Sequence, residues 1–230
     1  MVTMTRDEFS PSVRRVLDLP RPKWRGKMHL WMIPVALFGA VLLQFIAEST
    51  SARLVALGYG LAAIGLYSAS AAAHYKIWEP ARLHKLFMLD QSMILVYISA
   101  STAPVAYAIG GGLGWLLVGG MATFALAGIV TIWLPFHPPR GMMNTIFLIT
   151  GWWPIFFIVP IARSVGSIGI VFLLAGGAVF TVGAIIVGSQ RPNPNPHVFG
   201  YHEIWHVFVI VGSTVHFVLF ALLLAGKAPL

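Results

Sequence analysis

The chain has 230 residues, of which 58% are hydrophobic and only 10% are charged, and its mean hydropathy is +0.82. A soluble domain carries about 25% charged residues, so this chain has too few to cover a water-facing surface. In a soluble protein the net charge of +8 would suggest a nucleic-acid partner, but the basic residues lie in short segments between apolar runs, a pattern typical of membrane topology. The absence of cysteine excludes disulfides and thiolate metal sites. We therefore predict an all-α membrane protein whose partners are membrane lipids and not nucleic acid.

The apolar runs, taken in chain order, predict seven transmembrane helices, because a span needs roughly 20 mainly apolar residues. The predicted spans cover residues 28–47, 54–75, 86–108, 113–134, 142–162, 167–188 and 202–225. The breaks between them are rich in glycine, proline or charge, and the last contains Arg-Pro-Asn-Pro-Asn-Pro, which cannot continue a helix. Residues 1–27 mix charges of both signs and are predicted to form a cytosolic tail, followed by one seven-span domain over residues 28–230.

The distribution of Lys and Arg predicts the orientation of this helix bundle. Twelve of the 15 basic residues lie in segments that seven spans place on the side of the N-terminus. The three on the other side are Arg53, Arg163 and Lys227. Because short basic loops stay in the cytosol, we predict a multi-pass protein of the cell (inner) membrane, with its N-terminus cytosolic and its C-terminus outside.

Ionisable side chains inside the spans are few, and each marks a candidate functional site because burial in hydrocarbon is costly. The predicted topology brings four of them to one face: span 2 ends there with His74, span 3 begins there with Asp90, and span 7 begins there with His202 and His206. The last two are four residues apart, on one side of a helix and about 6 Å from each other. Three imidazoles leave a fourth position on a zinc ion for water. Asp90 is placed to orient that water and take its proton.

The remaining polar residues of the spans have weaker claims to a role. Ser70 lies one helical turn before His74. It is expected either to contact a ligand without binding the metal itself or to form a hydrogen bond between helices. His216 is ten residues beyond His206, about 15 Å along the helix axis, and is expected to bond to a neighbouring helix. The other histidines lie near span ends or in loops and are assigned no role: His29, His84, His137 and His197.

Residues 202–206 also read His-Glu-Ile-Trp-His, the H-E-x-x-H pattern in which zincins use two histidines as zinc ligands and the glutamate as general base. An intramembrane metalloprotease would need a third ligand from another helix, and Asp90 could be assigned that role. Its context, Met-Leu-Asp-Gln-Ser, does not resemble the Asp-Gly motif of those enzymes, and His74 would have no function. The zincin hypothesis is therefore the weaker of the two, with Glu203 as a helper near the surface.

Three segments carry a resemblance to a known family. They are Ser70-Ala-Ala-Ala-His74, Leu89-Asp-Gln-Ser-Met-Ile94 and Phe199-Gly-Tyr-His-Glu-Ile-Trp-His206. With them, the chain resembles the haemolysin III proteins, the bacterial branch of the progestin and adiponectin receptor family, over roughly residues 28–225. The resemblance implies seven spans with a cytosolic N-terminus and a zinc ion held by three histidines near the cytosolic side.

The family pattern maps onto this chain residue by residue. It implies His74, His202 and His206 as zinc ligands, Asp90 as the residue that contacts the zinc-bound water, and Ser70 as a member of the same polar cluster, which makes Asp90 and Ser70 the candidate catalytic residues. Two departures are visible. Gln91 replaces a common histidine, and residues 100–104 read Ala-Ser-Thr-Ala-Pro where the family often has a Gly-Thr-Tyr-Thr-Pro-like stretch.

Three functions follow as hypotheses. The first is a zinc-dependent hydrolase of ceramidase type that cleaves a lipid amide in membrane lipid homeostasis, an activity linked to eukaryotic relatives. The second is a non-enzymatic membrane protein, either receptor-like or a pore-forming haemolysin, in which zinc is structural. The third is a metal transporter, which would need polar groups through the whole bilayer. Beyond His216 the outer halves of the spans offer few, so this hypothesis ranks lowest.

Overall fold

A computed structural model describes residues 19–135 and 141–227 of the chain. Within these ranges the protein is helical, without a β-strand and with one isolated bridge between Asn195 and Phe199. Six helical segments of the described chain are long and apolar enough to cross a membrane. The fold is therefore a membrane helix bundle.

Over residues 19–135 and 141–227 the bundle has seven α-helices in chain order, with a 3-10 turn, Trp153–Phe157, between the fifth and the sixth. Their bounds are α1 Lys27–Ile46, α2 Thr50–Tyr75, α3 Pro80–Ile109, α4 Gly111–Trp133, α5 Met142–Trp152, α6 Ile158–Ser189 and α7 Tyr201–Leu224.

Helices α2, α3 and α4 begin earlier in the chain than hydropathy predicts. Helix α3 begins at Pro80 rather than at residue 86, since proline suits the first helical position and charged residues do not stop a helix that leaves the hydrocarbon. The predicted break at residues 110–112 shrinks to Gly110, whose φ of 69° lies in the left-handed region that glycine adopts without a steric penalty. At the same end of the bundle, Ser49 begins α2 by accepting a hydrogen bond from the Ala52 backbone N–H at 3.1 Å.

The longest helical segment, residues 142–189, folds back on itself. Its helical geometry is interrupted at Gly166, which has φ 72° and ψ 177°. The two arms lie side by side, because Trp152 Nε1 donates a hydrogen bond to Thr181 Oγ1 at 3.0 Å and the side chain of Asn144 reaches Gly188. Residues before and after Gly166 thus pair in antiparallel order, and the segment starts and ends at the same face of the bundle.

Small residues let the helices approach closely, as is usual when lipid removes the hydrophobic force between them. Gly60 of α2 packs on Ala40 of α1, while Gly183 of α6 packs on Trp205 of α7. Large apolar side chains such as Phe45 and Trp115, both 80% exposed, cover the outside as a lipid-facing surface would require. The main core cluster consists of buried residues from α1, α2, α3, α4, α6 and α7.

The turn between α3 and α4 yields a stability prediction. A Cβ atom at Gly114 would lie 2.5 Å from the backbone oxygen of Ala106, so Gly114→Ala forces the two helices apart. We expect a loss of about 1–3 kcal/mol, the usual cost of overpacking. Gly119→Ala on the same helix is the control, because nothing lies within 4 Å of its Cβ position. Thermal unfolding in detergent should show a lower midpoint for Gly114→Ala alone; equal midpoints would contradict the close approach.

Candidate metal centre

Three histidines meet where α2 ends and α7 begins, an end of the bundle that we call the histidine face. His74 is the second-last residue of α2, and His202 and His206 occupy the first two turns of α7. The Nε2 atoms of His74 and His202 are 3.2 Å apart, and one ring nitrogen from each of the three histidines lies within 4.8 Å of the others. His74 and His206 are buried, and His202 is half-buried. The structure therefore brings the three sequence-predicted ligands together.

The spacing and chemistry of these nitrogens fit a metal ion. Around a tetrahedral zinc with Zn–N bonds of about 2.1 Å, ligand nitrogens are about 3.4 Å apart, close to the separation of His74 and His202. His206 Nδ1 is buried and has no hydrogen-bond partner among the described residues, so this ring has a polar atom that the protein leaves unsatisfied. Neutral imidazoles suit zinc, copper, iron and nickel, which means that the geometry supports a metal ion but leaves its identity open.

Asp90 contacts this cluster through His74. It lies in the third turn of α3, buried, with Oδ2 at 3.2 Å from His74 Nε2. A carboxylate next to a ligand nitrogen can orient the imidazole or a water molecule beside it. Its predicted place at the same face as the histidines agrees with the structure, and its role stays a prediction.

Ser70 is part of the cluster but does not contact the three histidines or Asp90 through a described hydrogen bond. Its Oγ lies 2.8 Å from Nδ1 of His29, a hydrogen bond whose donor depends on the imidazole tautomer. Both groups are buried in the helix interface. Ser70 is therefore linked to the three histidines only through a fourth one, His29, and its role stays a prediction.

His29 is the residue that the sequence argument missed. It lies in the first turn of α1, is 2% exposed, and its ring is stacked on that of His206 with centroids 3.9 Å apart and planes 11° apart. The edge of Tyr67 meets it from another side, at a centroid distance of 5.1 Å. The topological rule that gathered the other residues would also have found His29, because the first span starts at the same face.

Glu203 is engaged away from the three ligands. It is fully buried, and its Oε1 accepts a 2.6 Å hydrogen bond from Arg25 Nε as an ion pair. Its Oε2 accepts from the Gly200 backbone N–H at 2.9 Å, which caps the start of α7. Because both oxygens are occupied, the structure disfavours Glu203 as the general base of a zincin.

Residues 21–26 form a strap that joins the helix ends bearing the ligands. Arg21 donates hydrogen bonds to the backbone oxygens of His74 at 2.6 Å and Lys76 at 3.0 Å, while Arg25 reaches Glu203 at the start of α7. Gly26 has φ 75°, and a Cβ there would meet the α2 backbone at 2.5 Å. Partial burial is the main cause that lowers the pKa of Arg21, the nearby positive charge of Arg25 adds to it, and the negative charge of Glu203 opposes it. The pKa is lowered overall, but a guanidinium still remains charged.

An apolar cavity of about 150 Å³ lies further into the bundle. Val209 and His216 line its wall. Both lie on the same side of α7 as His202 and His206, so the cavity continues along the helix face on which the histidines begin. Its other lining residues are mainly aliphatic and aromatic, among them Tyr97, Thr102, Trp152, Phe180 and Trp205. His216 Nε2 lies 3.1 Å from the backbone oxygen of Leu173, so the expected bond to a neighbouring helix is present.

The fold and the cluster define a multi-pass helical protein of the cell membrane with buried histidines that can hold a metal ion. The chain belongs to the haemolysin III family: residues 17–217 match the family described as "Haemolysin-III related". It is 34% identical to "Hemolysin-3" of Bacillus cereus over 163 residues, which cover 69% of this chain and 70% of that protein. The resemblance found in the three sequence motifs is thereby confirmed.

Two further relatives extend the comparison. The chain is 29% identical to "Hemolysin-3 homolog" of Bacillus subtilis (strain 168) over 162 residues, covering 69% of this chain and 72% of the relative. It is 25% identical to "Monocyte to macrophage differentiation factor" of Homo sapiens over 205 residues, covering 82% of this chain and 78% of the relative.

The buried ion pair generates a prediction on stability. Arg25→Met leaves the Glu203 carboxylate buried without its partner, which costs about 3–5 kcal/mol in comparable cases. The double variant Arg25→Met/Glu203→Gln removes the charge while glutamine still caps the helix, so it should recover part of the loss. Arg53→Met serves as the control at an exposed arginine. Thermal unfolding in detergent measures all three; a double variant less stable than Arg25→Met would argue against the pair.

Proposed function

We propose that this protein binds a zinc ion through His74, His202 and His206 and hydrolyses a lipid amide at that centre, as an enzyme of membrane lipid homeostasis. The observation that carries the proposal is the buried Asp90 carboxylate, whose Oδ2 lies 3.2 Å from Nε2 of His74, one of the three histidines that could hold a metal ion. A metal centre with an adjacent buried carboxylate is the usual equipment for activating water.

The chain's own residues supply the remaining chemistry. A zinc ion held by the three imidazoles would act as a Lewis acid toward an amide carbonyl and lower the pKa of water. Asp90 Oδ2 accepts the proton of the attacking water and returns it to the leaving nitrogen, as the C–N bond breaks and a carboxylic acid and an amine form. Ser70 keeps His29 in place beside the ligands.

The apolar cavity supports a lipid as the substrate. Its wall is mainly hydrocarbon and aromatic, with hydroxyl groups from Tyr97 and Thr102, and such a lining suits an acyl chain. Because α7 contributes both the ligands and part of the cavity wall, an acyl chain in the cavity would direct its polar end toward the histidine face.

A structural role for the metal is the alternative, with the protein acting as a receptor-like protein or as a pore-forming haemolysin. The position of the cluster favours it, because a metal held by His74, His202 and His206 would join the end of α2 to the start of α7. In this alternative, removing zinc should lower the unfolding midpoint strongly, and the purified protein should hydrolyse no lipid amide with zinc bound.

We also infer seven spans with a cytosolic N-terminus. His74 and His202 are in contact, so α2 must end where α7 begins, and α3 and α4 together return the chain to that face. Residues 142–189 then have to cross outward and back, which their 48 residues and the reversal at Gly166 permit. A helix of that length would measure about 72 Å, more than twice the hydrocarbon thickness. The basic loops support the orientation.

The metal centre is tested by metal analysis of the purified protein. We expect one zinc per chain in the wild type and a large loss of bound zinc after His74→Ala, His202→Ala or His206→Ala, because each removes a ligand. His216→Ala is the control, as it deletes a half-buried imidazole that is bonded to Leu173 and lies away from the three ligand candidates. Full zinc content in all three ligand variants would refute the site.

Catalysis is tested separately with Asp90→Asn. This variant keeps the shape of the side chain but cannot accept the proton, so hydrolysis of a long-chain N-acyl amide in detergent micelles should fall by about 10²–10⁴-fold while zinc content is retained. Wild-type rates in Asp90→Asn would overturn the assigned role. Zinc-loaded wild-type protein that is inactive on a panel of N-acyl lipids would favour the structural alternative.

The topology is tested by labelling single cysteines, for which the cysteine-free chain is a ready background. We expect Cys at Arg163 or Lys227 to react with a membrane-impermeant maleimide on intact cells, and Cys at Ile77 or Pro194 to react only after the membrane is opened. All four positions are exposed in the structure. If residues 142–189 crossed the membrane only once, Arg163 would be buried in hydrocarbon and unreactive in both conditions.

A further inference from the structure

His29 is held rigidly at the histidine face by contacts on several sides. Ser70 Oγ lies 2.8 Å from its Nδ1, and Tyr67 presents an edge to its ring. The face of the ring lies parallel to the imidazole of His206, with 3.9 Å between centroids and 11° between planes. These contacts come from α2 and α7, so His29, which lies on α1, connects three helices at the point where the three histidines gather.

The geometry does not suit His29 as a fourth ligand. Each imidazole binds a metal through a lone pair in its own plane, and the lone pairs of two stacked parallel rings do not converge on one point. Among the described residues, the ring nitrogens close enough together to share an ion are those of His74, His202 and His206. His29 instead covers one face of the ring of a ligand.

We propose that His29 is a positioning residue of the metal centre, which fixes the ring plane of His206 and is itself fixed by Ser70. The inference rests on the proposed metal site. A ring bearing a metal ion loses electron density, so its attraction to the π-face of a neutral imidazole increases when the metal binds. By linkage, a contact that strengthens on metal binding must raise the affinity for the metal by the same factor.

Residues that orient a metal ligand without touching the metal typically contribute 10- to 100-fold to metal affinity. We expect His29→Ala to weaken zinc binding by about that factor, since the ring of His206 loses its support. His29→Phe retains a flat face and should stay within a few-fold of wild type, and Ser70→Ala should weaken binding less than His29→Ala does. The order of zinc affinities among these variants shows whether the flat ring of His29 or its hydrogen bond to Ser70 holds His206 in place.

The control is His216→Ala, a half-buried imidazole between α7 and α6 that is bonded to the Leu173 oxygen and meets Phe180 edge to face. It removes the same side chain from the bundle but touches no ligand histidine in the described contacts. If His29 mattered only for folding, His29→Ala and His216→Ala would shift the unfolding midpoint and zinc affinity alike.

The experiment measures zinc affinity of the full-length protein in detergent by competition with a chelator, together with the visible spectrum after cobalt substitution, which reports the coordination geometry. Weaker zinc binding and an altered cobalt spectrum in His29→Ala, with both near wild type in His216→Ala and His29→Phe, support the inference. Wild-type affinity and spectrum in His29→Ala overturn it. A wild-type protein that binds no zinc or cobalt refutes the metal centre itself, and the inference fails with it.

If His29→Ala does not fold, His29→Phe and His29→Leu decide, because only the flat ring should preserve the affinity.

Discussion

The contact between His74 and His202 imposes a constraint on the whole bundle. It joins the end of α2 to the start of α7, 128 residues apart in sequence, and both helix ends must therefore lie at the same depth. The segments between α2 and α7 must therefore return the chain to the face from which it left. Helices α3 and α4 do so as a pair, and residues 142–189 can do so only because the chain reverses at Gly166. A buried polar cluster in a membrane protein is expensive unless its members satisfy one another, so the close grouping of imidazoles and carboxylate is itself a requirement for stability.

The strap of residues 21–26 shows how the protein maintains this depth. Arg21 binds backbone oxygens at the end of α2, and Arg25 binds the buried Glu203 at the start of α7. One short segment therefore holds both helix ends that carry ligands. The stacked His29 then joins α1 to the same assembly. The histidine face is built as a connected network of helix ends, in which His74, His202 and His206 are only the innermost part.

Hydropathy and charge were enough to locate the helices and to gather His74, Asp90, His202 and His206, because the alternation of spans places every second helix end at one face. The same reasoning omitted His29, although the start of α1, where His29 lies, is also at that face. An isolated histidine near a span end looks like an interfacial residue until a partner is known. Arg25 was hidden for a similar reason, since it lies in a charged segment that reads as solvent-exposed.

The sequence by itself determined the class of protein, the positions of most helices and the family, because lipid imposes a length and a composition on every span that crosses it. It also determined which polar side chains share a face. Only the tertiary structure decided which of them touch: that Ser70 bonds to His29 rather than to a ligand, that His29 stacks on His206, and that Glu203 belongs to Arg25 and the cap of α7. Periodicity assigns a residue a depth and a helix face, but the rotation of one helix against another depends on close packing around residues such as Gly60 and Gly183, which no single segment encodes.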